Sequence, residues 1–127
     1  MIEGVSSNIQ ALSAIGVSQA VTANNVANVN TDGYQTARVT LETGQGGTGV
    51  SVQEVARDQT PGPMYFENRP EETEDGVSRS YTAVEASNVD LPVQMVRMLL
   101  DHNAYSANIA AIRTQDELVG SVLDMTA

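Results

Sequence analysis

The sequence predicts a mainly α-helical fold with a small β part, built on an elongated antiparallel pair of long N- and C-terminal helices. Both ends of the chain carry apolar residues at helical spacing, whereas the centre is rich in Gly, Pro and acidic residues. Only five of the 127 residues are aromatic, which favours close helix packing over a β-sandwich. The predicted helices would be about 40 and 52 Å long, and a compact chain of this length is only about 36 Å across. The sequence therefore predicts an elongated molecule.

Length, charge and cysteine content exclude several classes of function. The chain has the length of one domain, and we divide it into a coiled-coil domain made of residues 1–33 and 87–127 and a central segment, residues 34–86. A net charge of −10, with no Lys, argues against nucleic acid or an anionic membrane as partner. No apolar run is long enough for a transmembrane helix. The lack of Cys excludes a disulfide scaffold, and we expect no cleaved signal peptide.

The first predicted element is a helix over residues 2–28. Its apolar positions alternate spacings of three and four residues, which predicts a coiled-coil-like seam. The second half of the seam is made of small residues that bury little area, so we expect it to need packing partners. Asn and Gly residues predict a turn at residues 28–33, where the helix should end. The residues predicted to pack from this helix are Ile2, Val5, Ile9, Leu12, Ala23 and Val26.

The central segment predicts one hairpin followed by a long loop. Residues 36–42 and 48–55 alternate apolar and polar side chains, and the Gly-rich residues 44–49 join them. Residues 56–83 contain three Pro residues and the acidic run 71–75, which predict an exposed, mobile loop. The Gly-rich stretch lacks the Lys-Ser/Thr pair of a phosphate loop, and the acidic run lacks the ligand spacing of an EF-hand.

A second long helix is predicted to start after Asp90. The Asp90 carboxylate can accept the Val93 N–H as an N-cap, and Pro92 is tolerated in the first turn. Apolar residues then form two stripes, so we expect two sets of neighbours, namely the N-terminal helix and another molecule. The residues predicted to pack from this helix are Val93, Val96, Leu100, Ile109, Ile112 and Leu118.

The sequence predicts no catalytic residue, no cofactor and no metal site. His102 is the single histidine, and no Cys and no Ser in a strand-to-helix turn accompanies it as a nucleophile. We therefore interpret His102 as a solvated histidine or one at the edge of an interface.

Two motifs resemble one protein family. The first is Ala23-Asn24-Asn25-Val26-Ala27-Asn28-Val29-Asn30-Thr31-Asp32-Gly33-Tyr34, and the second is Ser87-Asn88-Val89-Asp90-Leu91, followed by a helix with Tyr105-Ser106-Ala107-Asn108. Together they resemble the N- and C-terminal signatures of the flagellar basal-body rod and hook proteins. The motif residues are Asn24, Asn25, Ala27, Asn28, Asn30, Thr31, Gly33, Tyr34, Asn88, Asp90, Leu91, Tyr105 and Asn108.

The resemblance implies a structural protein without enzymatic activity. In this family the terminal helices pair into a coiled coil and stack with those of neighbouring subunits, while the middle segment forms a β-rich outer part. The implied partners are copies of the chain itself, other rod or hook proteins and the flagellar type III export apparatus, and the implied location is the periplasmic rod. The chain length is similar to that of proximal-rod members, whereas the second motif is closer to distal-rod and hook members. Gln35 replaces a common Lys or Arg, and Pro92 is unusual for the family.

Three hypotheses of different class follow. The leading one is a rod subunit that self-assembles through its terminal helices. The alternative is a soluble, export-associated adaptor that binds a single partner through the helical hairpin. The third is an enzyme or an ion-binding protein that uses His102 or the acids of residues 71–75, and unchanged melting with calcium and zinc would argue against it.

Overall fold

The computed structural model describes residues 2–73 and 76–126 and contains two long helices and two β-hairpins. Helix α1 spans Ile2–Ala27, and helix α2 spans Leu91–Thr126. Strands β1 (Ala37–Thr43) and β2 (Val50–Arg57) form the first hairpin, and β3 (Met64–Thr73) and β4 (Gly76–Glu85) form the second. The two predicted helices and the first predicted hairpin are confirmed.

The two helices pack against each other in antiparallel orientation. Ser18 Oγ donates to Asp101 Oδ2 at 2.7 Å, and Asn25 Nδ2 donates to Gln94 Oε1 at 3.0 Å. Towards the N-terminus of α1, a β-carbon on Gly4 would lie 2.8 Å from the side-chain amide of Gln115. Residue i of α1 therefore lies opposite residue 119 − i of α2. In this register, residues 118–126 of α2 extend past Ile2, the first described residue of α1.

Small and polar residues form the contact between the helices at three places, and the predicted apolar coiled coil is not confirmed. In α2 these residues lie seven or fourteen positions apart, and their opposite numbers in α1 are small or carry an amide. They are Gln94, Asp101 and Gln115 in α2, and Asn25, Ser18 and Gly4 in α1. Val5 and Val26 of the predicted seam each follow a contact residue of α1 by one position, which is about 100° around a helix with 3.6 residues per turn. The packing of the seam stays a prediction.

The first hairpin lies along α1. Strand β1 pairs antiparallel with β2, with an irregularity between Thr40 and Leu41. At its turn, Gly49 has a φ of +73°, and a β-carbon there would collide with the side chain of Gln10 in α1. Glycine is therefore favoured at this position by the backbone conformation, and any larger residue would also displace the Gln10 side chain.

The loop predicted for residues 56–83 is wrong over most of its length. Strand β3 pairs with β4 in continuous register from Met64 opposite Glu85 to Thr73 opposite Gly76. Pro70 is tolerated because both strands of a two-stranded ribbon are edge strands, where one side makes no ladder hydrogen bonds. Acidic residues suit a solvated edge for the same reason. Of the acidic run, Glu74 and Asp75 lie outside the described residues.

The buried core is small for a chain of this length. Among the described residues, the buried apolar side chains are Ala14 and Ile15, while Thr22, Asn25, Ser87 and Gln94 are buried polar side chains. Over residues 2–73 and 76–126, no helix is both long and apolar enough to cross a membrane.

Candidate functional site: a hydrogen-bonded junction

The two sequence motifs, more than fifty residues apart, meet at one end of the helix pair. The end of α1, the start of β1 and the start of α2 come together there. We call this meeting point the junction, and its residues are Asn25, Tyr34, Thr36, Ala37, Asn88 and Gln94.

Asn25 is the centre of the junction and is fully buried. Its Nδ2 donates to the Ala37 carbonyl at 2.7 Å and to Gln94 Oε1 at 3.0 Å. Its Oδ1 accepts the Ala37 N–H at 2.9 Å and the Tyr34 hydroxyl at 3.0 Å. All four hydrogen-bonding positions of the amide are thus used, as a buried amide requires. One side chain therefore holds strand β1 and helix α2 against the end of α1.

Asn88, from the second motif, binds the chain on both sides of the first hairpin. Its Oδ1 accepts the Thr36 N–H at 2.7 Å, and its Nδ2 donates to the carbonyls of Asp58 and Thr60 at 2.9 and 2.7 Å. Its own N–H donates to the Tyr34 carbonyl. The segment before α2 is therefore fastened to both ends of the first hairpin.

The remaining asparagines of the first motif form the exposed end of α1. Asn28 Nδ2 donates to the carbonyl and side-chain oxygens of Asn24, and Thr31 Oγ1 donates to Asn28 Oδ1. Gly33 has a φ of +65°, and its N–H donates to the Glu85 carbonyl at 2.8 Å. These local bonds satisfy the free carbonyls at the helix end and turn the chain towards the second hairpin.

Asp90 and Asp58 flank the junction and bind backbone N–H groups. Asp90 Oδ1 accepts the Val93 N–H at 3.2 Å, which confirms the predicted N-cap. Asp58 Oδ1 accepts the Thr60 N–H at 2.9 Å. The hydrogen bonds from the side chain and backbone of Thr60, with a smaller contribution from the Arg38 charge, lower the pKa of Asp58 below its ordinary value of 3.8.

The predicted packing residues differ in their burial. Val5, Leu12, Val26 and Ile112 are half-buried, and nothing is described of the Ile2 side chain. The exposed ones are Ala23, Ile9, Val93, Val96, Leu100, Ile109 and Leu118. Their packing role stays a prediction, and a single chain leaves these surfaces uncovered.

One apolar groove runs between the helices near the junction. Met95, Met98 and Leu99 of α2 line it together with Gln19 and Ala23 of α1, and His102 lies at its edge. No group of three or more His, Asp or Glu side chains that could hold a metal ion occurs within residues 2–73 and 76–126. The arrangement offers surfaces for packing and hydrogen bonding.

Sequence reasoning missed Gln94 and Gln115 as structural residues. Both belong to the polar series with a spacing of seven residues along α2, at 94, 101, 108 and 115. That spacing was the available signal, because a heptad repeat indicates a face directed at a partner helix even when its members are polar. Of the other motif residues, Leu91 and Tyr105 are exposed, and Asn108 donates to the Ala104 carbonyl within α2.

Comparison with known proteins found two family models that match the chain. Residues 6–35 match a model described as flagella basal body rod protein, and residues 82–125 match one described as flagellar basal body rod FlgEFG protein C-terminal. The two matched ranges contain the two segments that meet in the junction. A direct comparison with curated proteins gave no match.

Proposed function

Because the chain belongs to the flagellar basal-body rod and hook family, we propose that it is a structural subunit that assembles through its two terminal helices into the axial tube of the rod. The family makes it a structural protein of the flagellar basal body. The mode of assembly is the part that we propose.

The observation that carries the proposal is the uncovered apolar surface of α2. Large apolar side chains of this helix are exposed along its whole length, from Val96 at 58% and Leu100 at 61% to Leu118 at 57%. The hydrogen bonds to α1 come from Gln94 and Asp101 of the polar series instead. Exposed large apolar side chains in such number mark an interface in soluble proteins. A neighbouring copy with the same exposed helix is a complementary partner for it.

The far end of the helix pair supports the same proposal. The last turns of α2 carry Leu118, Val119 and Met125, which are 57%, 40% and 85% exposed. These side chains gain packing partners when a second subunit covers them.

Partners and location follow from the proposed role. We expect contacts with other copies and with other rod or hook proteins. We also propose that the chain reaches the periplasmic rod through the flagellar type III export apparatus. No proposal here requires binding of nucleic acid, insertion into a membrane or a cofactor.

The test is a charge placed on the exposed apolar surface. Leu118→Asp should leave the fold intact, because this side chain lies beyond the contact with α1, and should abolish both incorporation into basal bodies and swimming. Ser121→Asp is the matched control, since it adds the same charge to the same exposed segment without removing an apolar side chain. Incorporation is measured by mass spectrometry of isolated basal bodies, and folding by circular dichroism.

Two outcomes would contradict the proposal. Normal incorporation and swimming of the Leu118→Asp variant would show that this surface is not an assembly interface. A stable one-to-one complex with another protein, without higher assembly at any concentration, would favour the soluble adaptor.

A further inference from the structure

The turn between α1 and β1 contains an Asp-Gly pair, Asp32-Gly33, of a kind that rearranges spontaneously in unfolded chains. The backbone nitrogen of the glycine attacks the side-chain carboxyl carbon of the aspartate, one water leaves, and a cyclic succinimide forms. Water then opens the ring at either carbonyl, so part of the product is isoaspartate, whose main chain runs through the β-carbon. Glycine allows this attack because it has no side chain that blocks the approach. Both residues are exposed here, so water reaches them.

The base of the second hairpin binds both reacting groups of this pair. The Gly33 N–H donates to the Glu85 carbonyl of β4 at 2.8 Å, and Asp32 Oδ1 accepts the Tyr65 hydroxyl of β3 at 2.7 Å. A backbone nitrogen attacks only after it loses its proton, and the hydrogen bond to a carbonyl keeps that proton in place. The carboxyl group must rotate towards the nitrogen, and the bond to the tyrosine hydroxyl restricts this rotation. The reaction therefore requires the hairpin to release the turn.

The protection of the turn depends on a hairpin of limited stability. Its two strands pair with each other, whereas the hairpin that packs on α1 is the first one. A lone two-stranded hairpin is marginally stable in water. Segments of low local stability open more often than the whole chain unfolds, so release of the turn follows the opening of this hairpin.

Isomerisation would disturb the junction, because it lengthens the main chain in the turn that positions Tyr34. The Tyr34 N–H donates to the Thr31 carbonyl at 3.2 Å, across the Asp-Gly pair, and the Tyr34 hydroxyl donates to Asn25 Oδ1 at 3.0 Å. An isoaspartate adds one carbon atom to the main chain between Thr31 and Tyr34. The added atom shifts Tyr34 away from Asn25, and a buried amide that loses a hydrogen-bond partner destabilises the fold.

We propose that Asp32-Gly33 is a site of spontaneous isomerisation, that the base of the second hairpin protects it, and that conversion of Asp32 to isoaspartate weakens the junction. A chain whose hairpin stays in place keeps its aspartate. A chain that remains unfolded, or whose hairpin opens for long, is converted and loses stability without any cleavage or change of mass. The site is independent of how the chain assembles.

Incubation of the full chain at neutral pH tests the site. Folded chain and chain unfolded in urea are digested after increasing times, and isoaspartate at position 32 is quantified by fragmentation mass spectrometry, which distinguishes it from aspartate of equal mass. We expect conversion of Asp32 to be about tenfold slower in the folded chain, because it requires local opening. The chain has a second Asp-Gly pair, Asp75-Gly76, whose conversion in urea serves as the internal reference.

Removal of a single hydroxyl tests the contribution of the hairpin. Tyr65→Phe removes the bond to Asp32 and keeps the ring, so conversion in the folded chain should rise about fivefold, which is the equivalent of one hydrogen bond. Tyr81→Phe is the matched control, because this tyrosine lies on the same hairpin and is 73% exposed. Circular dichroism checks that both variants fold, and the comparison with urea needs neither of them.

The effect on the junction is read from the melting temperature. Native chain that is incubated in urea and then refolded should melt at a lower temperature than chain that is refolded at once. Asp32→Glu is the control, since the longer side chain would have to form a larger ring and does so far more slowly. This variant should melt at the same temperature after both treatments.

Three results would overturn the proposal. The first is equal conversion of Asp32 in the folded and the unfolded chain. The second is an equal effect of Tyr65→Phe and Tyr81→Phe on that conversion. The third is an equal fall in melting temperature for the native chain and the Asp32→Glu variant. None of these results depends on incorporation of the Leu118→Asp variant into basal bodies, so the isomerisation site and the proposed assembly fail separately.

Discussion

The two ends of the helix pair are held in opposite ways. At the junction, Asn25 is fully buried and every one of its hydrogen-bonding positions has a partner. At the far end, the Gln115 Oε1 atom is buried and has no hydrogen-bond partner among the described residues, and Val119 and Met125 of α2 are 40% and 85% exposed. The comparison teaches that the hydrogen bonding of the helix pair is complete at the junction, whereas polar and apolar groups at the other end are left without partners among the described residues.

The largest effect on stability that we predict comes from removing the side-chain amide of Asn25, at the centre of the junction. Asn25→Ala removes the partners of both the Ala37 N–H and the Ala37 carbonyl and leaves Gln94 Oε1 unpaired. Because several buried groups lose hydrogen bonds together, unfolding free energy should fall by about 4 kcal/mol. The neighbouring Asn24→Ala is the control, since Asn24 is exposed and should cost less than about 1 kcal/mol. Urea denaturation measures both, and equal losses would show that Asn25 does not carry the junction.

Replacing a glycine by alanine should change the unfolding free energy in opposite directions near the junction and at the far end of the helix pair. A β-carbon on Gly62 would collide with the Ala86 carbonyl, whereas one on Gly120 would meet no atom within 4 Å. Gly62→Ala should therefore lower the unfolding free energy by about 3 kcal/mol through overpacking. Gly120→Ala should raise it by up to about 1 kcal/mol through helix propensity. Thermal melting shows whether each variant is less or more stable than the native chain. Destabilisation by Gly120→Ala would show that other residues pack against position 120 in the single chain.

Replacing each of two glutamines of the polar series by Met compares the junction directly with the far end of the helix pair. Gln94→Met leaves one Asn25 donor unpaired in the buried junction and should cost about 2 kcal/mol. Gln115→Met removes the unpartnered Oε1 atom and should be neutral or stabilising by about 1 kcal/mol. Denaturant titrations of the two variants provide the measurement. A larger loss of unfolding free energy for Gln115→Met than for Gln94→Met would contradict the claim that hydrogen bonding is more complete at the junction than at the far end.

The smallest effect that we predict is a dependence of stability on pH that arises from Asp58, at the edge of the junction. The pKa of Asp58 in the folded chain is lowered, so its ionised form stabilises the fold above the ordinary value of 3.8. This contribution is lost as the pH falls through the lower, folded-state pKa. The difference in melting temperature between the native chain and the Asp58→Asn variant should therefore shrink below about pH 3.8. Thr60→Val should weaken the dependence, and a difference that stays constant from pH 6 to pH 3 would contradict it.

Sequence reasoning predicted the elements that rely on local signals. The long apolar periodicities gave both helices, Asp90 marked the start of α2, and the alternation around the Gly-rich residues 44–49 gave the first hairpin. The second hairpin was missed because we interpreted the high content of Pro and acidic residues as the mark of a loop. Paired edge strands tolerate both residue types, so composition alone does not distinguish such a hairpin from a loop.

The junction could be predicted only in part. The motif asparagines pointed to a special helix end, but nothing in their spacing showed that Asn25 is buried and Asn24 is exposed. That distinction depends on where Ala37 and Gln94 come to lie, and both positions are set by packing between segments distant in sequence. The contacts of Gly4, Ser18 and Asn25 with α2 were missed for the same reason, since small and polar residues gave no apolar signal.

Hydrogen–deuterium exchange tests the central claim most directly, because amide protection reports local stability. Peptides of the junction, residues 25–37 and 88–94, are compared with peptides of the far end, residues 2–11 and 108–126, in the dilute protein and in isolated basal bodies. The account predicts that the junction is protected in both samples and that the far end becomes protected only in basal bodies. Equal protection of the two ends in the dilute protein would contradict it.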